Sequence, residues 1–208
     1  RSSDLIGAIV SMITQLVLAT HNKGKVAEIS DMLAPFGITV LSAGALGLAE
    51  PAETETTFVG NALIKARAAA KASGLPCLAD DSGLCVAALK GDPGVYSADW
   101  AGPDKNFQLA MQKVWDGMKD AADRSAYFIS VLALVMPDGS EHLFEGRCQG
   151  QIVRPPRGDG GFGYDPIFVA DGETRTFGEM TLSEKKAFSH RGKAFDAFKS
   201  FLLDSGQS

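Results

Sequence analysis

The amino-acid sequence predicts an α/β fold with a mixed central β-sheet and flanking helices. In the first half of the chain, short apolar runs alternate with segments of helical spacing. In the second half, two long runs rich in apolar residues flank the turn sequence Pro137-Asp138-Gly139-Ser140, which is typical of a β-hairpin. Alternating strands and helices favour parallel pairing, whereas a hairpin adds antiparallel strands, so the sheet is expected to be mixed.

Periodicity and helix-ending residues place the elements of the first half. Val26, Ile29 and Met32 recur at helical spacing, and Gly37 follows that helix as a C-terminal cap. The predicted elements are a strand at 16–19, a helix at 25–36, a strand at 38–41, a polar loop at 42–57, an alanine-rich helix at 58–73, and strands at 77–79 and 84–89. The segment Asp80-Asp81-Ser82-Gly83 is predicted to be the turn between the last two strands.

The second half ends in helices after an irregular segment. Two prolines and four glycines exclude regular structure at 154–163. The predicted elements are a helix at 106–118, strands at 127–136, 142–153 and 167–169, and helices at 181–186 and 189–203. The last helix is expected to carry Phe195, Phe198, Phe201 and Leu202 on its core side.

Composition excludes several classes of partner. The chain has 208 residues, with 20 Lys and Arg against 25 Asp and Glu, a net charge of −5. This length suits one domain, or two closely joined lobes. An acidic chain without a block of like charge gains nothing from counterion release on a nucleic acid, so no nucleic-acid partner is expected. The longest apolar run, 127–136, is shorter than the ~20 residues that a membrane-spanning helix needs, so no membrane partner is expected.

The cysteines and the first residues suggest where the protein works and where its domain begins. Cys77, Cys85 and Cys148 are odd in number and lack Cys-x-x-Cys spacing, which favours a reduced, cytoplasmic protein. Met12 is a plausible native start. Residues 1–11 are therefore expected to be a cloning remnant or an upstream extension, and 12–208 a single domain.

The first candidate site is the predicted strand-to-helix turn at residues 20–25. Free amide groups at a helix N-terminus, together with Lys23 and Lys25, can bind an anion. A P-loop is excluded, because it would need glycine at Ala19 and a hydroxyl residue at Val26. The alternative, a surface turn with two solvated lysines, stays open.

The second candidate site contains the adjacent carboxylates of Asp80 and Asp81. Two neighbouring negative charges are costly, and a divalent cation is the usual compensation. A carboxylate beside such a cation can also accept a proton from an attacking water. An Asx-type turn explains one of the two aspartates but not the second.

A preceding loop and helix add polar groups to this second site. Glu53 and Glu55 lie in the loop before the alanine-rich helix, and Asn61 and Lys65 share one face of that helix. Taken singly, Asn61 and Lys65 are expected on a solvated face, with the alanines packing on the opposite side.

The third candidate site is the glycine-rich loop at 158–166. Glycines at 158, 160 and 163 match a dinucleotide fingerprint formally, but Pro166 disfavours the helix that the fingerprint must open. A purine base could instead stack on Phe162 or Tyr164 while Asp165 reads its edge. The alternative is that both aromatic rings only fill the core.

The fourth candidate site lies at the start of the last helix. Ser189 is a good N-cap and places His190 and Arg191 in the first turn, shortly after Lys185. Cations at this end oppose the helix dipole at about 0.3–1 kcal/mol each. Their placement there suggests a bound anion.

Taken together and in their order along the chain, the four candidate sites resemble those of the inosine triphosphate pyrophosphatase family. Members of this family hydrolyse non-standard purine nucleoside triphosphates. The resemblance covers the chain from Ile13 onward. The matching motifs are Thr20-x-Asn22-x-x-Lys25, Phe58 with Asn61 and Lys65, Ala79-Asp80-Asp81-Ser82-Gly83-Leu84, Pro93-Gly94-Val95-Tyr96-Ser97-Ala98, Gly161-Phe162-Gly163-Tyr164-Asp165-Pro166, and Ser189-His190-Arg191-Gly192.

The resemblance implies a homodimer of two-lobed subunits, each with a nucleotide cleft. It also implies Mg²⁺-dependent cleavage of ITP, dITP or XTP to the monophosphate and pyrophosphate. Asp81 corresponds to the general base and a metal ligand, and Glu53 to a second metal carboxylate. The residues that correspond to substrate contacts are Thr20, His21, Asn22, Lys23, Gly24, Lys25, Ser82, Phe162, Gly163, Tyr164, Asp165, Lys185, His190 and Arg191.

Two positions depart from the family pattern. Glu55 stands where a glycine is usual, and His21 stands where a small residue is common. Two other functions are considered beside the purine enzyme: a Maf-like pyrophosphatase for pyrimidine nucleotides, and a nucleotide sensor without catalysis. Retention of both Asp80 and Asp81 argues against the sensor, because binding alone needs no general base.

Overall fold

The structure is a computed structural model that describes residues 13–205. The predicted extension at 1–11 lies outside the described residues. Within them, the strands are β1 (Gln15–Leu18), β2 (Thr39–Ser42), β3 (Cys77–Val86), β4 (Ser125–Val135), β5 (Glu141–Ile152) and β6 (Phe168–Ala170). The α-helices are α1 (Lys23–Leu33), α2 (Phe58–Ser73), α3 (Phe107–Met118), α4 (Leu182–Lys186) and α5 (His190–Ser205).

The six strands form one sheet in the order β2-β1-β3-β4-β5-β6. β1 pairs in parallel with both β2 and β3, whereas β5 and β6 are antiparallel. β4 and β5 are joined through the predicted turn, which the bond from the Met136 amide to the Ser140 carbonyl closes at 2.9 Å. The predicted mixed α/β sheet is therefore confirmed.

The predicted turn at Asp80-Asp81-Ser82-Gly83 is wrong. These residues form the middle of β3, which runs unbroken from Cys77 to Val86. Local turn propensity is overridden here because β3 lies between two neighbouring strands, β1 and β4, in the interior of the sheet. Both aspartates are buried as a result, although Asp and Asn are rare in strand interiors.

Polar caps explain why the helices begin where they do. Asn22 accepts from the Lys25 amide at the start of α1, and Thr57 accepts from the Gly60 amide at the start of α2. Ser189 accepts from the Gly192 amide at the start of α5, as predicted. The glycine-rich loop ends in a short 3-10 turn at Asp165–Ile167 rather than an α-helix, which agrees with rejecting the dinucleotide fingerprint.

The contacts between residues divide the chain into two compact units. Of the described residues, the first unit comprises 13–81, 131–145 and 193–205, and the second 82–130 and 146–192. The core of the first contains Leu16, Leu18, Ile29, Leu78, Leu132 and Phe198, and that of the second contains Leu84, Val114, Phe128, Ile167, Phe168 and Phe177. The single domain at 12–208 and its nucleotide cleft stay predictions.

The predicted core side of α5 is largely observed. Phe195, Phe198 and Leu202 are buried, and Phe201 packs against the same core with partial exposure. In the part of the chain that the structure describes, no helix is both long and apolar enough to cross a lipid bilayer.

Candidate active site

The buried ammonium group of Lys65 lies at the centre of a group of polar side chains in the first unit. Its Nζ lies 3.0 Å from Glu53 Oε1, 3.0 Å from Asp81 Oδ1 and 2.9 Å from the Asp80 carbonyl. Burial lowers the pKa of Lys65, but Asp81 and Glu53 outweigh that effect and raise the pKa above its usual value. Lys65 is therefore a fixed cation that joins α2 to β3 and to the loop before α2.

Asp81 has one oxygen held and one oxygen open to a ligand. Oδ1 accepts from Lys65, whereas Oδ2 is buried and has no hydrogen-bond partner among residues 13–205. Burial raises the pKa of Asp81 to about 6, against the opposing effects of Lys65 and Lys25. A buried carboxylate oxygen without a partner is costly, so Oδ2 is suited to a cation or to the proton of a water.

The neighbouring Asp80 is engaged by a different cation. Its Oδ1 lies 2.8 Å from Lys25 Nζ, and the same Nζ also contacts the Asp80 carbonyl at 3.3 Å. Asp80 and Asp81 are adjacent in a strand, where successive side chains point to opposite faces. The two aspartate side chains therefore bind different lysines, and each lysine offsets one of the two adjacent negative charges.

The turn at residues 20–25 lines a cavity in the first unit. Thr20, His21 and Lys23 form one side of a space of about 370 Å³, and Ser42, Gly44 and Ala45 form part of the rest. The Nε2 of His21 is buried and finds no hydrogen-bond partner in the described part of the chain. The polar groups around this space are hydroxyls, an imidazole and an ammonium, with no carboxylate among the lining residues, which favours an anion.

The alternative of a surface turn with two solvated lysines holds for only one of the two lysines. Lys23 is exposed, but Lys25 is committed to Asp80. The Asn22 amide donates to Thr20 Oγ1 at 3.1 Å, and the Asn22 side chain caps α1. Thr20 and Asn22 therefore fix the backbone of the turn, which includes Gly24.

In the second unit, Lys185 and Asp165 form a buried ion pair. Lys185 Nζ lies 2.7 Å from Asp165 Oδ2, and both side chains are nearly inaccessible to solvent. The same carboxylate accepts from the Phe162 amide at 3.0 Å, so it holds the glycine-rich loop. A Cβ at residue 161 would lie 2.1 Å from this oxygen, and Gly161 has a φ of +67°, so glycine is required there.

The ring of Phe162 is partly exposed and has two cations beside it. Lys185 Nζ lies 5.0 Å from its centroid, and the guanidinium of Arg191 lies 5.5 Å from it. Arg191 is almost fully buried and donates to Ser82 Oγ at 2.9 Å. Gly163 follows Phe162 with a positive φ. Phe162, Lys185 and Arg191 form the Phe162 cluster.

The start of α5 packs closely on the end of α4. A Cβ at Gly192 would lie 2.1 Å from the Lys186 carbonyl, so only glycine permits the approach. His190 is buried and stacks on Phe128 at 4.7 Å between ring centroids, with an angle of 16° between the rings. The Ser-His-Arg-Gly motif therefore fixes the direction from which Arg191 reaches Ser82.

Tyr164 braces the site from within the core of the second unit. Its hydroxyl donates to the Ser97 carbonyl at 2.7 Å, and burial raises the pKa of Tyr164, which keeps the phenol protonated. Ser97 Oγ in turn accepts from the Leu84 amide at 2.9 Å, two residues after Ser82. Tyr164 fills the core, as the alternative predicted, while Phe162 stays partly accessible.

The structure corrects the predicted environment of α2. Asn61 and Lys65 are buried rather than solvated, and Ala62, Ala66 and Ala69 lie on the same buried face rather than the opposite one. Alanines permit the close approach of α2 to β3 that lets Lys65 reach Asp81. The sequence placed Lys65 and Asp80 near the second candidate site but assigned neither a role in it; the signal for Lys65 was the i, i+4 pair of polar residues beside a loop with two glutamates.

The donor set fits a hard divalent cation. Among residues 13–205, no group of three or more His, Cys, Asp or Glu side chains surrounds a common point. Asp81 Oδ2 is an open buried oxygen, however, and Glu53 is the second carboxylate on the same lysine. Mg²⁺ is usually held by one or two carboxylates together with substrate phosphates and waters, so these two residues suffice.

Comparison with known proteins finds the same fold and extensive sequence identity. A model of the Ham1 family matches residues 16–201. A Ham1 protein from Coxiella burnetii superposes with a TM-score of 0.84 at 42% identity, covering 93% of this chain and all of that one. The Staphylococcus aureus Ham1 protein superposes with a TM-score of 0.82 at 34% identity, covering 92% and 99%.

Curated relatives carry a more specific name. A dITP/XTP pyrophosphatase from Gluconobacter oxydans is 57% identical over 192 residues, which is 92% of each chain. A dITP/XTP pyrophosphatase from Caulobacter vibrioides is 55% identical over 195 residues, covering 93% of this chain and 100% of the relative.

Proposed function

The chain belongs to the Ham1 family, and on that premise we propose that it hydrolyses non-standard purine nucleoside triphosphates, ITP, dITP and XTP, to the monophosphate and pyrophosphate. Membership in this family removes the Maf-like alternative for pyrimidine nucleotides. The activity would clear such nucleotides from the nucleotide pool.

One observation carries the catalytic part of the proposal, namely the state of Asp81. Lys65 fixes Oδ1, Oδ2 is buried without a partner, and the pKa is raised to about 6. A general base works best when its pKa lies near the operating pH. A sensor that only binds a metal–nucleotide complex could use the open oxygen but would not need a carboxylate whose pKa lies near neutrality, so the raised pKa favours the enzyme over the sensor.

The proposed reaction is a displacement by water at the α-phosphorus. The water oxygen bonds to this phosphorus, and its proton passes to the carboxylate of Asp81. The bond from the α-phosphorus to the oxygen bridging to the β-phosphate breaks, and that oxygen leaves with the electron pair as part of pyrophosphate. Lys23 supplies an exposed cation at the turn for the phosphates, whereas Lys25 and Lys65 offset the charges of Asp80 and Asp81 and so lower the repulsion that the phosphates meet.

We further propose Mg²⁺ as the cofactor, held by Asp81 and Glu53. When bound, it supplies charge neutralisation for the triphosphate and polarises a phosphoryl oxygen. The cavity beside residues 20–25 adds donors from Thr20, His21 and Lys23 for the phosphates. The amide of Gly24, near the start of α1, belongs to the same anion-favouring end of the helix.

The base is proposed to bind at the Phe162 cluster. Its partly exposed ring offers a stacking surface, and Lys185 and Arg191 beside it are hydrogen-bond donors. Donors match the 6-oxo group of hypoxanthine or xanthine, whereas the 6-amino group of adenine would face them without an acceptor. Guanine also carries a 6-oxo group, so these donors discriminate against adenine and not against guanine. Gly163, Tyr164, Asp165 and His190 support this cluster through the loop and helix contacts described above, and Ser82 orients Arg191.

The proposal is tested by incubating the protein with ITP, dITP, XTP, ATP, GTP and dTTP, each with and without Mg²⁺. Pyrophosphate and monophosphate are then quantified separately. We expect pyrophosphate from ITP, dITP and XTP in the presence of Mg²⁺, and at least about tenfold lower kcat/KM for ATP and dTTP. The kcat/KM for GTP, which also has a 6-oxo group, measures discrimination at position 2 of the purine. Failure to turn over any triphosphate would support the sensor instead.

Protons are expected to compete with the metal for Asp81. The pKa of about 6 means that the carboxyl is mostly protonated at pH 5 and mostly ionised at pH 7. Only the ionised form is a ligand, so the affinity for Mg²⁺ should be roughly tenfold weaker at pH 5 than at pH 7. Calorimetric titration of the nucleotide-free protein with Mg²⁺ at both pH values measures this directly.

The matched variant for the pH experiment is Asp81→Asn. It should bind Mg²⁺ weakly at both pH values, with little pH dependence. Equal Mg²⁺ affinity at pH 5 and pH 7 in the unmodified protein would contradict the assignment of Asp81 as a metal ligand.

We also propose a cytoplasmic homodimer. Three free, buried cysteines support a reduced compartment. The homodimer follows from the family resemblance of the sequence motifs, and sedimentation of the purified protein would test it.

A further inference from the structure

Two hydrogen bonds attach the loop before α2 to the rest of the described chain. Among the described residues, the segment 49–56 makes two hydrogen bonds to the rest of the protein, and both go to α2. One joins the Glu53 carboxylate to Lys65 Nζ, and the other joins the Glu55 amide to Asn61 Oδ1 at 3.0 Å. Nearly all residues of this segment are exposed, so packing contributes little to its conformation.

The two attachments differ in strength. The Glu53 side chain is about a third exposed, and an ion pair of that kind contributes little on its own. Asn61 is 2% exposed, and losing its partner would strand a buried carbonyl oxygen, so its bond to Glu55 is the firmer one. Asn61 and Lys65 are one helical turn apart, which matches the two-residue spacing of their partners in the loop.

Gly60 provides an independent sign that the loop is fitted to α2. A Cβ at residue 60 would lie 2.7 Å from Glu55 Cβ and 2.8 Å from Glu55 Cγ. The glutamate that departs from the family's usual glycine therefore lies directly against α2. Its stem occupies the space that the missing side chain of Gly60 leaves.

We propose that Asn61 is a positioning residue for Glu53. By holding the Glu55 amide, it fixes the backbone two residues after Glu53 and so directs that carboxylate toward Lys65 and the proposed metal. This inference rests on the proposed function for its catalytic readout, but the attachment itself can be measured without nucleotide.

The main test compares Asn61→Leu, which removes the acceptor, with Asn61→Asp, which keeps it. We expect Asn61→Leu to raise the half-saturating Mg²⁺ concentration roughly tenfold, with kcat at saturating Mg²⁺ nearly unchanged. Asn61→Asp should show a clearly smaller rise. In the Glu53→Gln background, Asn61→Leu should have no further effect on Mg²⁺ dependence, because both changes act through the same carboxylate.

A readout without nucleotide separates this inference from the proposed function. Amide hydrogen exchange at Glu55 should speed up in Asn61→Leu and stay slow in Asn61→Asp. Calorimetric binding of Mg²⁺ to the nucleotide-free protein should weaken in parallel. These measurements remain decisive even when the unmodified protein hydrolyses no triphosphate, an outcome that would overturn the proposed function alone.

Two further variants guard against a general loss of folding. Asn106→Leu removes an N-cap acceptor from α3 and should leave Mg²⁺ dependence unchanged. Gly60→Ala improves helix propensity but should displace Glu55 and raise the Mg²⁺ requirement, which tests the same attachment when Asn61→Leu does not fold. Equal effects of Asn61→Leu with and without Glu53, or unchanged exchange at Glu55, would overturn the inference.

Discussion

Replacing Asp81 with asparagine is expected to lower kcat by roughly 10²–10⁴-fold. The amide keeps the size of the side chain but cannot accept a proton from water, and it removes one negative charge from the proposed metal site. Nucleotide affinity should change only a few-fold, because the phosphate donors at residues 20–25 and the Phe162 cluster remain. Steady-state kinetics and direct binding of a non-hydrolysable ITP analogue separate these two effects.

The matched control for Asp81→Asn is Glu50→Gln. It removes one negative charge from an exposed position of the same unit, close in sequence to Glu53, and should leave turnover unchanged. Turnover of Asp81→Asn at the rate of the unmodified protein would contradict the assignment of the base. Loss of ITP-analogue binding in Asp81→Asn but not in Glu50→Gln would instead make Asp81 a binding residue.

Lys185→Met is expected to lower the free energy of unfolding by about 3–5 kcal/mol. The substitution removes the cation that lies 2.7 Å from Asp165 Oδ2 in a nearly inaccessible position. The same carboxylate holds the Phe162 amide, so the glycine-rich loop should loosen with it. Urea unfolding at pH 7 measures the loss of stability. A raised KM for ITP would show that the glycine-rich loop has loosened.

A double variant decides whether this loss comes from the ion pair. Adding Asp165→Asn to Lys185→Met removes the uncompensated charge but keeps an acceptor for the Phe162 amide. Most of the lost stability should return, while KM for ITP should stay raised because Lys185 is also absent from the base site. If the double variant loses as much stability as the sum of the losses in Lys185→Met and Asp165→Asn, the two residues are not coupled.

Local signals in the sequence predicted the helices and most strands well. Asn22, Thr57 and Ser189 act as caps, and Gly37 and Gly74 end their segments with positive φ, because these signals act within a few residues. The mixed sheet followed from the hairpin and the alternating elements. The helix signals needed no knowledge of distant contacts.

Long-range contacts account for the errors. The two aspartates are typical of a turn by local propensity, yet Lys25 lies 55 residues before Asp80 and Lys65 lies 16 residues before Asp81, and these lysines make a buried strand possible. For the same reason, Asn61 and Lys65 were predicted to be solvated, because the loop that covers them is placed by contacts that the helix pattern alone does not show. The open Oδ2 of Asp81 is likewise a result of three-dimensional placement.

The most direct test of the proposed reaction is hydrolysis of ITP by the unmodified protein in ¹⁸O-labelled water with Mg²⁺, followed by mass spectrometry of the products. Attack at the α-phosphorus predicts one ¹⁸O atom in the monophosphate and none in pyrophosphate. Label in pyrophosphate, or release of labelled orthophosphate, would contradict the proposed placement of the attacking water.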